Sequence, residues 1–298
     1  SPLPNFSSES IKDTIYGIEL FKKAIQDANE ISKDEFVDMI TIYLENLPSA
    51  QFGLNSSFID LLSKKNGLPF AKYLNKNYSN IIYANGLEHI HNPEDNFPII
   101  KIKVGFRNLF DELENLEYLT KKFGEEIKFR LDANEQFDLP RAIRYCKEME
   151  RFNIDYIEQP LPKYNYEDLY ELSLHTKIKI AVDESITDIN SVHKIIDNQA
   201  AEIIIVKPML TGSIRNIQNI FDLARANNIR IIITSTLESN IGVTTCMHLA
   251  SAFNVKEPCG LSTGELYNNN FNSIIKISNG EIVIPNIPGI GIEKIDVN

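Results

Sequence analysis

The sequence predicts an α/β protein whose main body is a (β/α)8-type barrel, with a doubly wound open sheet as the alternative. Three observations carry this. From Ile81 onward, eight short apolar runs alternate with longer amphipathic helical ones, which argues a parallel sheet covered by helices. Five of those runs end in a charged residue. The two ends of the chain follow other patterns, helical at the start and hairpin-like at the finish, and predict a second, smaller unit.

In chain order, residues 10–75 read as helices. Leu20, Phe21, Ala24 and Ile25 recur at helical spacing, as do Phe36, Val37, Ile40 and Leu44, and then Phe58, Ile59, Leu61 and Leu62. The strand candidates follow: "IIYANG", "IIKIKVG", "IKFRLDAN", "IDYIEQP", "IKIAVDES", "EIIIVKP", "IRIIITS" and "EPCGLSTG". Segments such as "LPRAIRYCKEMERF" and "IRNIQNIFDLARANN" between them have helical periodicity. Near the end, "SIIKISNGEIVIPNIPGIGIE" reads as a strand, a turn at "NG" and another strand, expected to fold back onto the N-terminal helices.

Composition narrows the function. The 298 residues are 43% hydrophobic and 24% charged, as in an ordinary globular protein, and the formal net charge is -11. Such an acidic chain is not built to neutralise phosphates, so no nucleic-acid partner is expected. Cys146, Cys246 and Cys259 are odd in number and lack metal-site spacing. Reduced thiols, no apolar run of membrane-spanning length and no charged-then-apolar leader pattern together give a cytoplasmic expectation without membrane contact. The oligomeric state stays open.

The charged strand ends are Lys103, Asp132, Glu158, Asp183 and Lys207, and the last four follow one another at about one βα unit each. In a barrel, the carboxyl ends of the strands line the mouth where catalytic groups converge. Any one of these charges could be an ordinary solvated residue beside a loop. Five in step on consecutive units point instead to an acidic wall of Asp132, Glu158 and Asp183 flanked by lysines. Converging carboxylates repel and raise one another's pKa. A hard divalent cation resolves this, and an all-oxygen set suits Mg2+, with Mn2+ as a substitute.

Lys103 and Lys207 would face each other across that site. A partly desolvated lysine near other positive charge is expected to fall toward the general-base range, at roughly 7 to 8. It could then take a proton from a carbon next to a carboxylate, while the metal steadies the enediolate. Lys101 shares the face of Lys103 but lies deeper, as a supporting positive charge beside the ligands and substrate.

The set "KIKVG", "RLDAN", "IEQP", "AVDES" and "VKPMLTGS" resembles the enolase superfamily, whose general chemistry is a Lys or His base with Mg2+ at an enediolate. Within it, the pattern is most similar to the o-succinylbenzoate synthase family of menaquinone biosynthesis, with "TSTLES" and "SPLPNFSSES" also alike. The resemblance implies a (β/α)7β barrel over residues 79–269 and an α+β capping domain from residues 1–78 joined by 270–298. That cap would be N-terminally incomplete, since its usual opening strands and covering loops are missing or reduced to "SPLP".

The resemblance also implies roles. Lys103 would be the acid/base, Lys207 the lysine that stabilises the enolate, and Asp132, Glu158 and Asp183 the metal ligands. Asn134 and Glu184 would support them from behind. Arg130 would assist substrate binding or serve as a salt-bridge partner inside the barrel.

The implied reaction is a carbon–oxygen lyase step, the syn-type dehydration of 2-succinyl-6-hydroxy-2,4-cyclohexadiene-1-carboxylate, a small carboxylate substrate. N-acylamino acid racemases and dipeptide epimerases share the same charges. "CGLSTGEL", however, lacks the Asp-x-Asp with which dipeptide epimerases would hold a substrate amine. A barrel that had lost catalysis and only bound a partner should lack one of the five charges; this chain has all five.

Other signals are weaker. "HIH" at His89–His91 would need further histidines at later strand ends to form a metal site, and "PGIGIE" lacks the helix of a dinucleotide loop. Ser213 reads as a helix N-cap. Ser235 and Ser262 are candidates to bind a substrate carboxylate.

Overall fold

A computed structural model describes residues 2–4, 6–26, 30–88, 97–263 and 274–292. The N-terminal part is helical, as its periodicity predicts: α1 (Ile11–Gln26), α2 (Lys33–Tyr43), α3 (Pro48–Lys65) and the short α4 (Phe70–Leu74). Local chemistry sets the boundaries. Ser32 and Glu35 form a reciprocal capping box at α2, and Pro48 opens α3 at a position where its missing N–H costs nothing. Phe21, Ile40, Leu44 and Ala50 form the small core of this helical unit, and Phe36 stacks on Phe58 at 4.1 Å.

Seven parallel strands follow one another around the main sheet: β2 (Gly86–Leu87), β3 (Ile99–Lys103), β4 (Lys128–Asp132), β5 (Ile154–Glu158), β6 (Lys179–Val182), β7 (Ile203–Val206) and β8 (Arg230–Ile233). Helices α5 (Leu109–Phe123), α6 (Leu139–Met149), α7 (Tyr166–His175), α8 (Ile189–Asp197) and α10 (Ile214–Ala226) lie between successive strands. The one-turn α9 (Pro208–Thr211) precedes α10, and α11 (Asn240–Ala252) follows β8. Closure comes from two parallel bridges, Thr234 to Gly260 and Ala84 to Cys259, so the curled sheet meets itself. At that seam a Cβ on Gly260 would lie 2.4 Å from Thr234 Oγ1, so only glycine admits the approach.

Two strand expectations change. The segment "IIYANG" does not form one barrel strand. Its first half, β1 (Ile81–Tyr83), pairs antiparallel with β10 (Glu281–Val283), which pairs with β9 (Ile277–Ser278). Only Ala84 and β2 serve the barrel. The eighth segment contributes bridges at Cys259 and Gly260 rather than a ladder, and the preceding Pro258 has no N–H to extend one. The hairpin turn falls at Asn279-Gly280, as expected, both residues with positive φ.

The C-terminal segment returns to the N-terminal helices at its end, and the hairpin itself is held by β1. The chain beyond it reaches α3 and α4: Phe70 N–H donates to Gly289 O, and Ile290 N–H to Asp60 Oδ1. In turn α3 packs on α9, and α4 on α11.

Alternation divides the barrel strands. Ile100, Ile102, Phe129, Leu131, Ile157, Ile204 and Val206 face the helices in the large core, whereas Tyr156, Ala181, Ile203, Ile205 and Ile232 fill the barrel interior. Lys101, Lys103, Arg130, Asp132 and Glu158 fall on the inward set. No described helix is long and apolar enough to cross a membrane, and all three cysteines are free and buried.

Candidate active site

The inward face places the charges at the mouth. Lys103 pairs in register with Asp132, and Asp132 with Glu158. Asp183 lies two residues past Ala181, the partner of Glu158, and Lys207 lies four past Ile203, the partner of Ala181. The charges therefore climb the ladder rather than share one rung. Strand tilt in a closed barrel imposes such a stagger and returns them to a common rim. A pocket of about 380 Å3 opens there, with Lys101, Lys103, Asp132, Asn134, Asp183, Lys207, Ser235 and Ser262 in its walls. Leu3 and Phe6 from the N-terminal segment line it as well.

Lysines and carboxylates are interleaved. Lys101 Nζ is 2.7 Å from Glu158 Oε1 and 2.9 Å from Asp132 Oδ2, and Lys103 Nζ is 2.8 Å from the same Asp132 oxygen. Lys103 also donates to Asn134 Oδ1, and Lys207 donates to Asp183 Oδ2. Asn134 Nδ2 in turn donates to Glu184 Oε1 at 2.9 Å.

Each carboxylate feels burial differently. Burial works to raise Asp132, but Lys101 and Lys103 override it and bring Asp132 down to about 2. Glu158 has one lysine instead of two; burial and the charge of Asp132 push it up to about 7. Burial and Asp183 raise Glu184. For Lys207 the expected lowering is reversed. Burial favours its neutral form, yet Asp183 outweighs this and holds it above the ordinary lysine value. Its nearest neighbour is an opposite charge, not another cation.

As the side chains stand, no group of three acidic, His or Cys side chains among the described residues is arranged around a metal position. Lysine ammonium groups fill the space between the carboxylates. The donor set nevertheless suits a hard divalent ion. Three carboxylates converge in a buried site, Glu158 Oε2 has no hydrogen-bond partner, and burial together with the charge of Asp132 pushes Glu158 toward its neutral form.

Arg130 is not in the pocket. Fully buried one step below Asp132, it donates to Asp155 Oδ2 at 2.9 Å, to Pro258 O at 2.6 Å and to Asn85 Oδ1 at 3.2 Å, and its guanidinium lies over the Tyr156 ring. Of its two sequence readings, the barrel-interior partner is the one that holds; the substrate contact is corrected because the Arg130 side chain is fully buried, committed to Asp155, Pro258 and Asn85, and absent from the pocket wall.

Ser235 Oγ meets Thr263 Oγ1 at 2.5 Å, and Ser262 Oγ donates to Asn85 O at 2.6 Å, so both serines stand on the wall. Ser213 accepts from Asn216 N–H as the N-cap of α10 and stays out of the pocket walls. His89 and His91 lie outside the described residues. His175 is on an exposed helix face, and His248 is buried in α11.

Sequence reasoning missed Gln159. This buried side chain accepts from the N–H groups of Asp183 and Ser185 and donates to Leu161 O, tying the end of β5 to the loop after β6. Its φ of 36 marks a conformation unfavourable for a side chain, maintained by those bonds. The only signal was a polar residue directly after a charged strand end.

Residues 88–296 match the Enolase C-terminal domain-like family, and the chain belongs to it and to the enolase superfamily. It is similar to an L-amino acid-D/L-Glu epimerase of Francisella philomiragia, 29% identical over 216 residues, covering 68% of this chain and 60% of the relative's length. An o-succinylbenzoate synthase of Desulfotalea psychrophila is 28% identical over 247 residues, covering 78% of this chain and 67% of that protein. Among solved structures, a dipeptide epimerase from Enterococcus faecalis complexed with Mg and L-Leu-L-Tyr superimposes with a TM-score of 0.84 at 22% identity, covering 98% of this chain and 86% of that one.

Proposed function

We propose that this chain removes a proton from the carbon next to a substrate carboxylate and then expels hydroxide from the adjacent carbon, the dehydration performed by o-succinylbenzoate synthases. The carrying observation is the character of the pocket wall. Lys103 and Lys207 enter from β3 and β7, opposite sides of the barrel, while the eighth segment offers the hydroxyls of Ser262 and Thr263. Among the described residues of that segment no carboxylate faces the pocket to hold a substrate ammonium group. Glu88, which also lines the pocket, accepts from Asn115 Nδ2 at 2.7 Å, and the opposed lysines favour an anionic substrate.

In this reading Lys103 takes the α-proton on its Nζ, so the C–H electron pair passes into the carboxylate. Those electrons then form the ring double bond as the β C–O bond breaks. Lys103 returns its proton to the leaving hydroxide, and water and the aromatic product result. For Lys103 to accept a proton it must be released from Asp132. Lys207, positive beside Asp183, stabilises the charge accumulating on the carboxylate oxygens. Asp132, Glu158 and Asp183 would hold Mg2+, whose contribution when bound is Lewis-acid stabilisation of that same charge. Asn134 and Glu184 orient Lys103 from behind, and Ser235 and Ser262 offer hydroxyls to the substrate. Residues 1–78 with 270–298 form the cap, and 79–269 the catalytic barrel, working in the cytoplasm on a small carboxylate.

A second reading, epimerisation of an acylated amino acid or dipeptide, has its own support. Several similar proteins are named as epimerases, and opposed lysines can deliver a proton to either face of one carbon. The test offers the cyclohexadiene hydroxy-acid with Mg2+ and follows loss of its ultraviolet absorbance. N-acylamino acids and dipeptides are incubated in D2O in parallel. Aromatic product is expected; α-deuteration with inversion and no elimination would transfer the assignment to the second reading.

A further inference from the structure

The turn that follows Lys103 is pinned from two helices. Val104 N–H donates to Asp132 O, and Gly105 then turns the chain with a φ of 88, where a Cβ would lie 2.8 Å from Gln136 Cβ. From the first turn of α5, Glu112 reaches back over this turn: its Oε1 accepts from Gly105 N–H at 2.8 Å and from Arg107 N–H at 3.2 Å. From α6, Arg141 donates to Gly105 O at 3.3 Å.

The carboxylate that does this is itself held. Glu112 and Tyr145 are both buried, and the Tyr145 hydroxyl is in hydrogen-bonding contact with the Glu112 carboxylate. Burial and the charge of Glu112 raise the phenol above its ordinary value, so it remains a donor. Hydrogen bonds to a charged acceptor are the stronger kind, and two backbone N–H groups and a phenol converge on this one buried group. Lys103 needs such a brace. Its side chain is 52% exposed, against 18% for Lys101 and 16% for Lys207, so packing does not fix where its Nζ lies. The backbone at the strand end has to.

We propose that Glu112 is a positioning residue for Lys103: braced by Tyr145, it fixes the turn after β3 and thereby the direction from which the Lys103 side chain enters the mouth. Glu112 and Tyr145 are absent from the pocket wall, so they act through the backbone and not on the substrate. The inference rests on the reading of Lys103 as the base. It holds for elimination and epimerisation alike, since both begin with the same proton abstraction.

The test compares Glu112→Ala, Glu112→Gln and Tyr145→Phe with wild type and with Leu172→Ala, which opens a cavity in the core under α7. One readout is hydrogen exchange in the peptide spanning residues 104–112. The other is kcat and KM for the cyclohexadiene hydroxy-acid or, where that is inert, for α-deuteration of N-acylamino acids and dipeptides in D2O, each variant being assayed where circular dichroism shows it folded. Glu112→Ala should speed exchange in that peptide while β4 stays protected. It should lower kcat by about a hundredfold, the scale of a displacement of about 1 Å, and leave KM unchanged. Glu112→Gln keeps an oxygen for the two N–H groups and should recover most of that loss, and Tyr145→Phe should show a smaller loss of the same kind. Leu172→Ala should unfold earlier yet turn over as wild type. If Glu112→Ala does not fold, the same split is read from Tyr145→Phe. Unchanged exchange in the turn, wild-type kcat despite faster exchange, or an equal loss of kcat in Leu172→Ala would overturn the proposal. Lys103→Ala separates this from the proposed chemistry. If it is inactive while Glu112→Ala turns over as wild type, only the positioning role fails; if it is active, the base is wrong and the positioning role goes with it.

Discussion

Lys101 Nζ is shared between two carboxylates, 2.7 Å from Glu158 Oε1 and 2.9 Å from Asp132 Oδ2. Burial favours the neutral amine, but the two acids override it and hold Lys101 well above the ordinary lysine value. One deep ammonium thus compensates the acidic wall. Removing a partner from a buried ion pair exposes the remaining charges to the full desolvation cost. Lys101→Met should lower stability by about 3 kcal/mol, with Glu158 driven further toward its neutral form. Denaturant unfolding of the two proteins measures this, and an unchanged midpoint would contradict the shared-charge account.

Mg2+ should stabilise the wild-type chain by mass action, because only the folded state brings Asp132, Glu158 and Asp183 together. Asp183→Asn should weaken calorimetric Mg2+ affinity and leave the circular dichroism spectrum intact. Equal affinity in that variant would remove Asp183 from the ligand set.

The two lysines should fail differently. Lys103→Ala should keep substrate and Mg2+ binding but lose turnover by roughly 10² to 10⁴. Lys103→Arg should be equally inactive, because a guanidinium does not act as a base near neutral pH. Lys207→Arg preserves the charge beside Asp183 and should retain measurable turnover that Lys207→Ala lacks. Wild-type rates for Lys103→Arg would require another base.

Arg130→Met should cost about 3 kcal/mol or more, since Asp155 would lose one of its two arginine partners inside the barrel. Its KM should stay near wild type under conditions where the variant is folded. A raised KM with unchanged stability would return Arg130 to the substrate.

His248 is buried against Phe70, its Nδ1 accepts from Ala71 N–H at 3.4 Å, and burial pushes it down to about 4. The unfolded chain, with an imidazole pKa near 6.5, binds more protons between those values, so stability should be complete above about 6.5 and decline as the pH falls toward about 4. The full span is worth about 3 kcal/mol. Urea midpoints for His248→Gln should decline less over this window than those of wild type; parallel declines would assign the acid sensitivity to other groups.

Local sequence determined the alternation that turns Lys101, Lys103, Asp132 and Glu158 inward, and the order of βα units that brings Asp183 and Lys207 to the same mouth. It also marked the Asn279-Gly280 turn and the Ser213 cap, because a strand's period and a turn's φ are decided within a few residues. Tertiary structure decided depth and partnership. Arg130 shares a face with Asp132, yet its side chain is fully buried and committed to Asp155 and Pro258 from other parts of the chain. Lys207 meets Asp183 instead of another cation, and that contact reverses the expected direction of its pKa. Gln159 gains its purpose only when the loop after β6 lies above it. Period two specifies which way a side chain points; which charge it meets is set by strand stagger and barrel closure, long-range properties that no short window of sequence contains.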